Sequence, residues 1–467
     1  MTQFDLVIIG GGAAGFAAAI RANQLGAKTA LVNAGLPLGG TCVNVGCVPS
    51  KRLLRAAEIL DLAQHHGFPG LKLSVTQLDV ARLVADELEL VSQMREQKYQ
   101  QVLQSLEHVS FVAGKASFIS PNQIKVADQV LQADKYVIAT GSIARVPEIA
   151  GLQTAGYLTH IEALKLRQVP DSLAVIGAGP VGLELGQLFA RWGSQVTILQ
   201  KSDQILPAGD QTLTNRLKQI LQQQGIKIIT SAQIKQVRVE QGNKIVEFEH
   251  QGQKSQLAVA EILLAAGKRA NTAGLNLSAA QVEVDDHAAV VVEPDLATSN
   301  SCIWAAGDVA ALPLRLETTA GREGTLAAEN ALTGQHKSID YQTVPYTVFT
   351  DPQLAAVGFS EEQQMAQTGV CACRTLDFSY LPKAVILNRT EGMIKMAIDP
   401  QTRRVVGVHI LAPNACDLIA QAMVLVQNRA TIDQITESLP VFPSLSEAIK
   451  LVALSFRQDI SKLSCCV

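Results

Sequence analysis

The chain of 467 residues holds no unbroken apolar run of the roughly 18 residues that a membrane-spanning helix requires, which excludes a spanning segment. It has no excess of either charge: 39 basic against 42 acidic residues give a formal net charge of −3, scattered rather than blocked. A nucleic-acid partner therefore has no electrostatic footprint here, and there is no charged tail. Met1 to Asp5 lacks the basic start of a secretory leader, and the first apolar run leads straight into Gly10-Gly11-Gly12, so a cytoplasmic protein is expected. Eight cysteines in that setting argue against a structural disulfide framework and for redox or metal chemistry. Apolar residues are plentiful instead, at 48%, enough to fill the cores of two or three domains.

The pattern that organises the chain is a strand, a glycine-rich turn and a helix, met twice. Val7-Ile8-Ile9 reads as a buried strand and residues 15–25 as the helix after it, with Gly10-x-Gly12-x-x-Gly15 between them. There Gly10 permits the tight turn, Gly12 lets a pyrophosphate reach the backbone, and Gly15 lets helix and strand pack closely. The spacing recurs as Gly177-x-Gly179-x-x-Gly182, between a strand at 173–176 and a helix running to Trp192. Two such units imply two bound dinucleotides. Neither has the usual carboxylate at the end of its second strand. Asn33 stands at the first, an amide that can still bond a ribose hydroxyl, and Gln200-Lys201 at the second. A cation without a carboxylate favours the 2′-phosphate of NADPH; otherwise Lys201 is a solvated surface residue.

Residues 53–65 and 79–107 carry helical spacing, and 136–139 reads as a short strand. Strands at 262–265 and 303–306 end the second block and return to the first. From Pro345 on, a strand at 405–411 and helices at 416–429 and 446–456 form an α+β module. The fold class is α/β: Rossmann-like dinucleotide-binding domains at 1–145 with 270–340 and at 146–269, and a C-terminal α+β domain at 341–467.

The most specific signal is Gly39-Gly40-Thr41-Cys42-Val43-Asn44-Val45-Gly46-Cys47-Val48-Pro49-Ser50-Lys51. Two cysteines at this spacing can close a small disulfide loop, and Lys51 would lower a thiolate pKa. A metal site would need two further ligands, and no other His or Cys lies near in sequence. The segment resembles the redox-active disulfide of the pyridine nucleotide–disulfide oxidoreductases. Ala139-Thr140-Gly141 and Ala306-Gly307-Asp308 resemble flavin-domain motifs of the same family. The resemblance covers essentially the whole chain. It implies FAD on the first unit, NADPH on the second, and a homodimer formed through the C-terminal domain. It places Asp308 on the flavin ribityl chain and Lys51 near the isoalloxazine, with Glu184 as the ion-pair partner of Lys51. It makes Cys47 the thiol nearer the flavin and Cys42 the outer one. Thr41, Ala116, Gly141 and Arg269 complete the residues it sets against the cofactors.

Members of the family that reduce disulfide substrates carry a His-Pro segment near the C-terminus, whose His acts as acid and base. Here the segment is Phe442-Pro443-Ser444, and the last histidine in the chain is His409, which disfavours an ordinary disulfide substrate. The tail Ser461-Lys462-Leu463-Ser464-Cys465-Cys466-Val467 is similar instead to that of the mercuric reductases of the family. Adjacent Cα atoms about 3.8 Å apart are too close for an unstrained disulfide, so Cys465 and Cys466 should rest as thiols suited to a soft ion. The resemblance implies reduction of Hg(II) to Hg(0), a detoxification. In it, Cys465 and Cys466 of one subunit collect the ion and pass it to Cys42 and Cys47 of the other. Tyr99 resembles a tyrosine that such enzymes hold near the metal; read alone it is a packing residue. A second such tyrosine falls at Phe442, a departure from the pattern. The chain is expected to begin at the catalytic core, without a preceding Cys-x-x-Cys metal-binding domain. Two rival functions are a thioredoxin-reductase-like relay to a protein disulfide and a flavoprotein that sequesters metal without turnover. Cys302 and Cys416 read as core residues; Cys371-x-Cys373 is a loop pair that can touch a metal but, with no His beside it, reads as incidental.

Overall fold

The computed structural model describes residues 2–464, so Cys465 and Cys466 lie outside the described residues. Two compact units emerge. One comprises Met1–Arg52, Ala81–Val146 and Gly267–Tyr341, the other Leu53–Val80, Pro147–Ala266 and Gln342–Val467. Among the described residues no helix is long and apolar enough to cross a membrane.

The first unit is built on a seven-stranded sheet. Its order runs Val109–Ala113, Thr29–Asn33, Thr2–Ile9, Gln129–Ile138, Gln123–Val126, Ala116–Ser120, with Ile303–Ala305 also paired to Gln129–Ile138. Thr2–Ile9 is covered on both faces, which is why it reads as a continuous apolar run. Val7 and Ile9 join the core of Phe118 and Tyr136, whereas Leu6 and Ile8 pack with helices Ala13–Gln24 and Glu317–Thr333. Gln129–Ile138 is longer than the strand expected at 136–139. Its first half alternates buried Leu131 and Ala133 with polar Gln132 and Asp134, a half-buried pattern that an apolar run does not reveal. The helical stretch expected at 79–107 is also interrupted: Val80–Arg95 is α-helical and Glu96–Gln100 forms one π-helical turn.

The second unit repeats the motif in a parallel sheet ordered Lys227–Ile229, Gln195–Leu199, Ser172–Ile176, Glu261–Leu264. A five-stranded antiparallel sheet follows, ordered Tyr346–Val348, Gln353–Gly358, Val405–Ala412, Met393–Ile398, Ala372–Asp377, with helices Ala415–Gln427 and Glu447–Leu454 completing its core. Helix Pro180–Arg191 is stitched to this sheet's first hairpin. Gln187 exchanges two hydrogen bonds with the backbone of Asp351, at 2.7 and 2.8 Å, and Arg191 meets the Asp351 carboxylate at 2.7 Å. Glu184, buried on the same helix, accepts the backbone N–H of Phe349 at 2.9 Å.

Candidate active site

The two glycine-rich turns have the same construction. Gly10 and Gly177 hold φ at 116° and 109°, a region that L side chains rarely enter. A Cβ at Gly15 would stand 1.7 Å from the carbonyl oxygen of Gly10, and one at Gly182 2.0 Å from that of Gly177. The middle glycines face open space: a Cβ at Gly179 meets nothing within 4 Å, and one at Gly12 meets only Gly40 Cα at 3.8 Å. Gly12 and Gly179 are the N-caps of helices Ala13–Gln24 and Pro180–Arg191. Neither helix has a side-chain cap or an acidic residue in its first turn, so the leading N–H groups and the positive dipole end are left for an anion. Both turns fit a dinucleotide diphosphate.

The strand-end amides are matched as well. Asn33 Oδ1 accepts the N–H of Gly11 at 3.0 Å while its Nδ2 donates to Leu36 O at 3.0 Å, and Gln200 Oε1 accepts the N–H of Ala178 at 2.9 Å. Each amide ties down the turn in front of it. Lys201 follows Gln200 and is exposed. Arg269 is exposed on Lys268–Ala270, which pairs with Ser142–Ala144 in the first unit. Gly141 is open to its surroundings, and beside it Ser142 donates to the Asp308 carboxylate at 2.6 Å. The Asp308 loop is braced from below: fully buried Glu323 accepts the Gly307 N–H at 2.7 Å and the Tyr341 hydroxyl at 2.9 Å. Ala116 is buried at the start of its strand.

The thiol loop lies directly on the first turn. Gly40 adopts φ of 60°, and a Cβ there would be 2.7 Å from Gly12 Cα. Thr41 and Cys42 ride on the short helix Gly40–Val45, and Cys47 opens helix Cys47–His65. Asn44 fixes the loop by donating to the carbonyls of Pro37, Leu38 and Gly40, the last at 2.8 Å. Cys42 is half-buried, Cys47 is exposed, and neither is in a disulfide. The Cys42 S–H donates to Cys47. That hydrogen bond holds the Cys47 thiol below its ordinary pKa; burial opposes the shift and the Lys51 ammonium supports it. The same bond pushes Cys42 far up, helped by burial and by the charges of Cys47 and Glu317. The loop thus pairs a thiol made more acidic with one that holds its proton more firmly.

Glu317 was not legible as a site residue. It is the first residue of helix Glu317–Thr333, and its carboxylate lies against Cys42; burial raises it above the usual carboxylate range. Tyr99 sits in the π-helical turn, stacked edge-on to Phe16 at 5.0 Å and resting on Gly39. Burial, then Glu317 and the two thiols, push its hydroxyl up to about 12. Cys42, Cys47, Lys51, Tyr99, Asp308 and the first turn therefore belong to one unit, whereas Glu184, Lys201 and the second turn belong to the other. Glu317→Gln removes a negative charge that raises the Cys42 pKa. Alkylation of Cys42 at neutral pH is expected to quicken severalfold in the reduced protein, read by peptide mass spectrometry. An unchanged rate would mean that the carboxylate does not face the thiol.

The other cysteines depart from expectation. Cys371 and Cys373 form a disulfide with Cα atoms 6.0 Å apart, where an incidental pair was expected. Cys302 and Cys416 are only half-buried, and burial together with Asp417 raises the Cys416 thiol.

A dinucleotide turn carrying an asymmetric thiol pair defines an oxidoreductase that works through sulfur. Residues 4–331 match the pyridine nucleotide–disulphide oxidoreductase family, and residues 344–453 match the dimerisation domain of that family. The chain belongs to the pyridine nucleotide–disulphide oxidoreductases, enzymes that use FAD and a nicotinamide nucleotide. It is 39% identical over 466 residues to a mercuric reductase of Staphylococcus aureus, covering 99% of this chain and 84% of that protein. It is 37% identical to one of Streptomyces lividans, covering 100% and 98%. Among solved structures it is similar to the Cu(II) complex of the HOCl-induced flavoprotein disulfide reductase RclA from Escherichia coli. The TM-score is 0.87 and the identity 28%, covering 98% of this chain and 100% of that one.

Proposed function

We propose that this chain is an NADPH-dependent mercuric reductase, a cytoplasmic homodimer that reduces Hg(II) to Hg(0) in mercury detoxification. The observation that carries the reading is the state of the thiol pair. A half-buried thiol hydrogen-bonded to an exposed, easily ionised one offers two soft donors on the first dinucleotide turn. The mercuric reductases among its relatives and the Cys465-Cys466 sequence support it. Bound on the first turn, FAD supplies the electron pair that converts Hg(II) to Hg(0).

The protein's own part is to receive and hold the ion. An arriving Hg(II) dithiolate exchanges one thiolate for Cys47, which Lys51 helps keep ionised, and the second for Cys42, whose proton leaves with the departing thiol. Cys465 and Cys466 of the partner subunit would make that delivery. Tyr99, its phenol kept protonated, stands beside the pair. NADPH is favoured at the second turn because Gln200 is spent on Ala178 and exposed Lys201 follows it. The dimer is supported by the matched dimerisation domain and by apolar side chains on the same part of the chain, with Leu439 93% and Val441 76% exposed.

The deciding assay is Hg(II)-dependent NADPH oxidation in excess thiol, with mercury vapour collected. Both signals are expected. A second reading, a disulfide reductase, is favoured by the likeness to RclA and by Glu317 beside Cys42. NADPH oxidation with glutathione disulfide but none with Hg(II) would establish that reading and end ours. Changing Cys465 and Cys466 together to Ser is expected to lower kcat/KM for Hg(II) roughly tenfold when external thiol is scarce, since a tethered carrier raises the local ligand concentration. An unchanged value would remove the tail from the pathway.

A further inference from the structure

Glu361, Cys371 and Cys373 gather at the edge of the C-terminal sheet, where helix Glu361–Thr368 meets strand Ala372–Asp377, and the proposed reaction uses none of them. One sulfur from each cysteine and one carboxylate oxygen lie within 4.8 Å of one another. The local sequence explains the meeting. Ser360 caps helix Glu361–Thr368, and Gly369, in the left-handed region at φ 72°, ends it. The chain then returns along the edge strand Ala372–Asp377. Eight helical residues advance about 12 Å, and four extended residues return about 13 Å, so Cys373 comes back to the level of Glu361.

The carboxylate is anchored. Lys395, on the adjacent strand, meets Glu361 at 2.6 Å and Asp210 at 2.8 Å. Lys395 and Asp210 are buried. One ammonium shared by two carboxylates leaves one negative charge in excess, at the rim where exposed Glu361 and the half-buried Cys371 and Cys373 face solvent. Two sulfurs and a fixed carboxylate form a soft, anionic, solvent-accessible donor set.

We propose that Glu361, Cys371 and Cys373 form a second binding site for a soft cation such as Hg(II), closed while the two cysteines are bonded and opened by a low-molecular-weight thiol. Two molecules of that thiol reduce the Cys371–Cys373 bond and leave as one small disulfide. The two protein thiols then bind Hg(II) and release two protons, with Glu361 as the third donor. Cα atoms 6.0 Å apart leave room. Side-chain rotation can part the sulfurs to the roughly 4.6 Å spanned by two metal–sulfur bonds of about 2.3 Å. The site goes beyond the catalytic reading and stands without it.

The test uses the full-length flavoenzyme, reduced by a phosphine that is then removed, and titrated with Hg(II). Ion retained through gel filtration is counted. Wild type is expected to retain one ion per chain more than the double variant Cys371→Ser, Cys373→Ser. Glu361→Gln is expected to keep that count and to lose affinity roughly tenfold against a competing dithiol. Alkylation and peptide mass spectrometry should find Cys371 and Cys373 blocked before reduction and labelled after it. Hg(II)-dependent NADPH oxidation in excess thiol should be unchanged in the double variant, which also reports that it is folded. Equal retention by reduced wild type and double variant would overturn the site. A wild type that keeps the extra ion but never reduces Hg(II) would sink the catalytic reading and leave this one intact.

Discussion

Cys42→Ala is expected to lower Hg(II)-dependent NADPH oxidation by roughly 10³-fold or more, as loss of a residue acting within a catalytic unit does elsewhere, while the flavin stays bound. Two effects combine. The site falls from two sulfur ligands to one. Cys47 also loses the S–H donor that is the foremost cause of its low pKa, leaving Lys51 to work against burial. Its thiolate fraction near neutrality therefore falls, and with it the rate of exchange with incoming mercury thiolates. The flavin should persist because Cys42 is not among the groups that shape the first turn; Gly40 makes that contact through its backbone. Steady-state rates and the flavin-to-protein absorbance ratio check both halves. A variant retaining more than about a tenth of wild-type activity would exclude the pair from the reaction.

Gly15→Ala should act on the other side of that contact. Its methyl group would fall 1.7 Å from the Gly10 carbonyl oxygen, and Gly10 cannot retreat because its own Cβ position is 2.2 Å from Ala139 O. Helix Ala13–Gln24 must then move off the sheet, opening the tightly packed layer around Ile8 and Ala18. A displacement of that kind costs about 3 kcal/mol or more, a fall in melting temperature of roughly 6 °C or more for a unit of this size. Protein purified after this change is expected to lack the yellow flavin spectrum. Full flavin occupancy in Gly15→Ala would mean that FAD binds elsewhere.

Much of this design is written locally and so can be read from the sequence. Gly10, Gly12 and Gly15 are one turn, and the Cys42–Cys47 loop is another, so spacing alone carries their geometry. The second turn repeats the first even to the amide that holds it, Gln200 standing where Asn33 does. Glu317 has no such local mark. It reaches Cys42 only because helix Glu317–Thr333 returns to the sheet after the whole second dinucleotide fold has intervened. The Cys371–Cys373 bond was hidden for a different reason: a pair separated by one residue bridges only when the backbone sets its Cα atoms 6.0 Å apart. The π-helical turn at Tyr99 left no trace in apolar spacing, since one irregular turn barely shifts a 3.6-residue period.

Gly324 lies so close to Ala14 that a Cβ there would be 1.9 Å from the Ala14 carbonyl oxygen. Helices Ala13–Gln24 and Glu317–Thr333 thus touch backbone to backbone, with no side chain to act as a cushion. They run in the same direction, so both N-terminal ends lie by the first turn: one faces the diphosphate and the other presents Glu317 to sulfur. The acid's address is inherited from the nucleotide fold, not from the cysteine loop. Mutational drift can rewrite the residues between Cys42 and Cys47 without evicting that neighbour, whereas a bulkier residue at position 324 would dislodge it from far away.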